Sequence, residues 1–174
     1  MKRTVWVWSL LGFAVTALGG TLLHFLYEWL GESVWIAPFS GVNESTWEHM
    51  KLLFWPMLAY AAVQRPFFGG YRAFLCVKLR SALLGLSLIP ILFYTLNGVI
   101  GKTPDWVNIS IFFISAGVAY AYETRQLNAE NPRCKSTRVA LVSLCVLALC
   151  FIIFTFRAPH LGIFRDPITG GYGI

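Results

Sequence analysis

The sequence predicts an all-α membrane protein: a bundle of five transmembrane helices, with the N-terminus cytoplasmic and the C-terminus extracytoplasmic. Three observations lead there. Hydrophobic residues fill 57% of the 174 positions and charged residues only 13%, a balance too apolar for a soluble domain of this length. Five segments approach the run of about 20 apolar residues that a hydrocarbon core requires. The 14 Lys and Arg residues are also divided unequally between the ends of those segments.

The first span covers residues 4–27. Lys2-Arg3 before an apolar run has the form of a signal peptide, with Ala17-Leu18-Gly19 as a cleavage site. The run continues to Tyr27, past the roughly 7–15 residues of an h-region, so an uncleaved span is expected. The second is continuously apolar only from Leu52 to Val63, but Ser45-Thr46-Trp47-Glu48 reads as a capping box and extends the helix to 46–64. The remaining spans are 81–100, 106–123 and 139–156, with Pro56 and Pro90 expected to kink the second and third.

Between spans two and three, Phe67, Phe68, Tyr71 and Phe74 lie among basic residues, as in a segment resting on the inner interface. Asn131-Pro132 marks a turn before span five. Ala17 with Thr21, and Gly117 with Ala121, have the small-xxx-small spacing of close helix contacts. Residues 157–174 alternate turn formers with apolar side chains, so an ordered tail folded back on the outer surface is expected. The whole chain, 1–174, reads as one polytopic membrane domain of a multi-pass cell-membrane protein.

Charge orients the bundle. With the N-terminus inside, ten of the 14 basic residues are cytoplasmic, and only Lys51, Lys102, Arg157 and Arg165 lie outside. The net charge of +6 is therefore a topology signal. No basic stripe with interleaved aromatics lies on a soluble face, so the expected partner is the lipid bilayer and no nucleic acid is expected. The four cysteines form no CxxC pair; Cys76 and Cys134 fall on the cytoplasmic side, Cys145 and Cys150 inside span five, and no disulfide is expected.

Acidic residues show the reverse asymmetry: Glu28, Glu32, Glu44, Glu48, Asp105 and Asp166 fall outside, Glu123 and Glu130 inside. His24, His49 and His160 are all outside as well. His24 and Glu28 are four apart on one face of span one, and Glu44 and Glu48 are four apart where span two opens. Antiparallel packing brings both groups to one membrane level, and the tail would add His160 and Asp166. Imidazole and carboxylate together suit a divalent metal such as zinc. His24, His49 and His160 are the candidate ligands, with Glu28 and Asp166 as possible additions. Glu44 or Glu48 is the candidate general base, and Asn43 can donate its amide to an oxyanion. No HExxH motif occurs.

Each residue taken alone also has a structural account. Glu44 and Glu48 offset the dipole of a helix start, and Lys51 can pair with Glu48 at i,i+3. His24 can bond a neighbouring helix, and His160 follows Pro159 in a turn-rich tail. Glu28 and Glu32 suit a solvated helix end. Glu123 lies beside Arg125, where an interfacial salt bridge is expected.

Three stretches carry a resemblance: His24-Phe-Leu-Tyr-Glu-Trp29, Val42-Asn-Glu-Ser-Thr-Trp-Glu-His-Met-Lys51, and Pro159-His160 with Phe164-Arg-Asp166-Pro-Ile-Thr-Gly and Tyr172-Gly. They resemble a family of small bacterial and archaeal integral membrane proteins that carries only a domain-of-unknown-function label. The resemblance covers essentially the whole chain. It implies a polytopic membrane protein of this size and no particular activity, substrate or cofactor.

The chemistry of the outer groups points to a metal-dependent hydrolase or transferase acting on a lipid or lipid-linked substrate. A non-catalytic membrane scaffold or partner subunit is the alternative. A transporter with an outward-facing ion site is less well supported, because the spans offer mainly Ser, Thr, Asn97 and Tyr between the outer groups and Glu123.

Overall fold

In the computed structural model, which describes residues 2–68, 70–129, 132 and 134–174, five helices account for most of the chain. They are α1 (Lys2–Trp29), α2 (Thr46–Gln64), α3 (Phe74–Ile100), α4 (Asp105–Leu127) and α5 (Thr137–Phe156). A 3-10 turn, Gly162–Phe164, and an isolated bridge between Arg165 and Tyr172 shape the tail. Among the described residues there is no strand, so the all-α expectation holds. Asn131 of the predicted turn lies outside the described residues, as do Glu130 and Arg133.

The helix ends follow local chemistry. Ser45 caps α2 by accepting the Glu48 N–H at 3.4 Å, and Ser136 caps α5 through the Val139 N–H. Only half of the predicted capping box forms, because the Glu48 carboxylate accepts the Val42 N–H instead of the Ser45 N–H. α1 stops at Gly31 and Glu32, both left-handed, with the Glu32 N–H returned to the Tyr27 carbonyl at 2.9 Å. α3 starts seven residues before the predicted span, so Phe74 and Lys78 lie in its first two turns.

Among the described residues three helices, α1, α3 and α5, are long and apolar enough to cross a membrane. They expose large apolar side chains such as Leu18, Val99 and Val139. α2 has the opposite character: Leu52, Leu53, Phe54, Met57 and Tyr60 are buried in a core shared with Leu86, Phe112, Tyr120 and Phe151. A helix enclosed by protein tolerates the polar residues that α2 carries. Backbones approach most closely at glycines other than those predicted. A Cβ on Gly20 would lie 2.8 Å from the Leu52 carbonyl oxygen, and one on Gly85 would lie 3.1 Å from the Ala119 Cβ. Gly117 has only the Phe13 ring at 3.9 Å, and Thr21 is exposed and bonds its own helix.

Two expectations are corrected at the end of the bundle where α3 begins. Cys76 is joined by a disulfide to Cys134 in the α4–α5 connection, leaving Cys145 and Cys150 free. The α4–α5 connection returns to the start of α3, which a separation of 58 residues conceals. Glu123 pairs with Lys78 at 2.6 Å and not with Arg125, which is exposed. Because α3 starts early, Lys78 faces inward, where its ammonium also meets the Gln64 side-chain oxygen. The Phe74, Tyr60 and Tyr120 rings lie at 5.4, 5.8 and 5.9 Å.

Breaking that pair leaves an uncompensated buried charge. Lys78→Met should therefore destabilise the protein by about 3–5 kcal/mol, and adding Glu123→Leu should restore most of the loss. Denaturant unfolding in detergent, run as a double-mutant cycle, measures both values.

Candidate metal centre

His24 stands in the last two turns of α1, Glu44 in the α1–α2 connection and His49 in the first turn of α2. The Ser40 hydroxyl holds the connection against α1 by donating to the Leu23 carbonyl and accepting the Tyr27 N–H. Trp55 donates its indole N–H to the Pro38 carbonyl at 2.9 Å. These bonds bring Glu44 between the two imidazoles. Its Oε1 lies 3.7 Å from His24 Nε2 and its Oε2 3.5 Å from His49 Nε2. One candidate ligand atom from each residue lies within 4.8 Å of the other two.

The tautomer of His49 is set by its other nitrogen. Nδ1 lies 3.0 Å from the Ser45 carbonyl oxygen, which can only accept, so Nδ1 carries the proton. In the neutral ring Nε2 then presents a lone pair toward Glu44, and a cation held between them would remove the repulsion. Backbone-fixed tautomers of this kind are common among metal-bound histidines. A tetrahedral zinc site with bonds of 2.0–2.2 Å has ligand–ligand edges of about 3.4 Å. The two His–Glu distances are already near that value. The His24, Glu44 and His49 side chains are 34%, 40% and 24% exposed, so a fourth position can open to water.

The other candidates lie elsewhere. His160 is exposed and packs its ring against Tyr172 at 4.6 Å, outside the group. Glu28 is exposed and outside it too. Asn43 donates its amide to the Gly173 carbonyl at 3.2 Å and accepts the Ser45 N–H at 2.9 Å, a structural use of both ends. Glu48 is 2% exposed, paired with Lys51 at 2.6 Å and bonded to the Val42 N–H at 3.0 Å, which leaves it no access to a bound water.

Asp166 is buried in the tail. Burial pushes its carboxyl up, but the Thr169 hydroxyl and the N–H groups of Ile168, Thr169 and Glu44 outweigh this and hold it below the usual range.

Sequence reasoning missed two features. Glu44, expected as a general base, stands between the two imidazoles. Lys51 is fully buried and donates to the Ala37 carbonyl at 2.9 Å and the Thr155 hydroxyl at 2.8 Å. The Glu48–Lys51 spacing was the available signal for the pair. Nothing in the sequence pointed to the carbonyl and hydroxyl that complete it.

The two neighbouring carboxylates should therefore behave differently. Glu48→Ala strands a buried ammonium and should cost about 3–5 kcal/mol, whereas Glu44→Ala, half exposed, should cost under about 1 kcal/mol. Unfolding of the metal-free variants measures the contrast.

A family model described as "Family of unknown function (DUF6512)" matches residues 2–174. No curated protein and no solved structure matches the chain.

Proposed function

The chain belongs to that family of unknown function, and from its own residues we propose that His24, Glu44 and His49 form a divalent-metal centre at the outer rim of a five-span membrane bundle. The observation that carries the reading is His49: its Nδ1 proton is committed to the Ser45 carbonyl, and its Nε2 faces Glu44. Two histidines, one carboxylate and an open position are a zinc-type ligand set that serves hydrolytic chemistry. A metal held by these residues would lower the pKa of a water toward neutrality, giving a nucleophile near neutral pH. The Ser45 carbonyl orients His49, and Glu44 bridges the two rings.

We place this centre at the extracytoplasmic interface. The ten-to-four division of basic residues supports an N-terminus inside and five crossings, with α2 and α4 crossing under the cover of their neighbours. Phe25 stacks on the His24 ring at 5.0 Å and Trp29 on Phe25 at 5.7 Å, and Trp29 and Trp35 are strongly exposed. Such an aromatic rim favours an amphiphile, so the proposed reaction is hydrolysis or group transfer on a lipid or lipid-linked substrate at the outer leaflet.

The interlocked loop and tail favour one other reading, a non-catalytic scaffold or partner subunit. A transporter is disfavoured: the buried charges at the two ends are separated along α2 by Leu53, Phe54 and Met57.

Metal analysis separates the readings. Detergent-purified protein is expected to hold one zinc per chain, with His24→Ala, Glu44→Ala and His49→Ala each losing it while remaining folded. Protein that binds no zinc and gains no thermal stability from added zinc would leave the scaffold reading standing.

A further inference from the structure

Resting on the orientation proposed above, with the N-terminus inside, we infer that the Cys76–Cys134 cross-link is a reversible redox site opened by a small anionic thiol of the cytosol. Val5 of α1 packs with Phe74 and Val77 of α3 and Leu127 of α4, so the start of α3 shares one end of the bundle with the N-terminus. The cross-link therefore lies on the basic, cytoplasmic side, where cellular thiol systems keep cysteines reduced. Permanent disulfides belong to oxidising compartments, and those that form in the cytosol are as a rule transient, catalytic or redox-sensing.

The two sulfurs stand in different surroundings. Cys76 is 5% exposed, whereas Cys134 is only half-buried and is the one an external thiol can reach. Exposed Lys135 follows it, and the Thr137 hydroxyl donates to the Arg72 carbonyl at 3.0 Å, which brings a second exposed cation to this edge. Positive charge there attracts an anionic thiol and favours its thiolate, the attacking species. Cys76 occupies the first turn of α3, where Ala73 supplies no side-chain cap. The positive end of the helix dipole thus favours the charge that the Cys76 sulfur takes up as it leaves, and a stabilised thiolate leaves faster.

One thiolate attacks the Cys134 sulfur, the S–S bond breaks, and Cys76 departs with the electron pair and takes a proton from solvent. A second thiolate attacks the reagent's sulfur in the mixed disulfide. That step releases Cys134, which is protonated in turn, and the oxidised thiol as its own disulfide. The two thiols supply both electrons, and excess oxidised thiol drives the same steps backward. Once the bond is open, the α4–α5 connection keeps the exposed Thr137–Arg72 bond and a long contact from Cys76 to the Ser136 carbonyl at 3.6 Å. These ties are weak, so reduction loosens the connection.

The test uses the full-length protein with Cys145→Ala and Cys150→Ala, which clear the background of free thiols, in inside-out and right-side-out membrane vesicles. Glutathione, which does not cross the bilayer, is the probe, and thiols are counted by gel shift with a polymer-linked maleimide after acid quenching. At a cytosol-like ratio of reduced to oxidised glutathione, inside-out vesicles should release both thiols, and excess oxidised glutathione should close the bond again. Right-side-out vesicles should show neither change. Trypsin added to inside-out vesicles should cut after Lys135 several-fold faster in the reduced form. A bond that stays closed at that ratio is a permanent staple and overturns the inference, as does equal cleavage of the two forms. Glutathione-dependent cleavage that survives in Cys134→Ser would overturn its assignment to this pair. Opening in right-side-out vesicles alone would overturn the orientation, and the cytosolic role with it, a result distinct from a bond that opens in neither.

Discussion

The buried Lys51 ammonium is the interaction on which the His24 end of the bundle depends. It bonds Glu48 on its own helix, the Ala37 carbonyl of the α1–α2 connection and the Thr155 hydroxyl of α5. An ammonium has three donors, and here each one reaches a different segment of chain. The Glu48 carboxylate passes the restraint on to Val42, and the Thr155 carbonyl passes it to the last residue of the tail. Taking a charge out of water is costly, and this one is accommodated because all its hydrogens are used. The same network gives the neighbouring loop a fixed path, so Glu44 can stand between two imidazoles without a regular element to hold it.

Two carboxylates four residues apart consequently have separate jobs. Glu48 faces inward and serves packing, while Glu44 precedes the helix and faces the solvent-accessible space between His24 and His49. A lone pair turned toward a carboxylate is unfavourable unless a positive charge, a bound cation or a proton on Nε2, lies between them. The Ser45 carbonyl fixes that lone pair through a hydrogen bond any residue at position 45 could make. The Ser45 hydroxyl is occupied separately with capping α2.

Much of the architecture was legible in the sequence because composition and hydrophobic periodicity are averaged over many residues. The all-helical bundle followed from such patterns, and the start of α2 at Thr46 from the local capping signal at Ser45. The meeting of His24, Glu44 and His49 was partly legible, since all three flank one short connection. What escaped detection depended on long-range partners. His160 was grouped with the other histidines by its side of the membrane, but its ring is taken up by Tyr172. Glu123 was assigned to the nearest basic residue, Arg125, but the interior offered Lys78 from another helix. Cysteine spacing gave no hint of Cys76 and Cys134, because only the path of the α4–α5 connection brings them together.

That cross-link turns α3, α4 and the short turn between them into a covalently closed ring. A backbone cut at the exposed Lys102 would open the ring without releasing either half, since Cys76 and Cys134 lie on opposite sides of the cut. Chain continuity and molecular integrity are thus separable in this part of the protein. A nicked polypeptide would still migrate as one species until a thiol reductant parted the fragments.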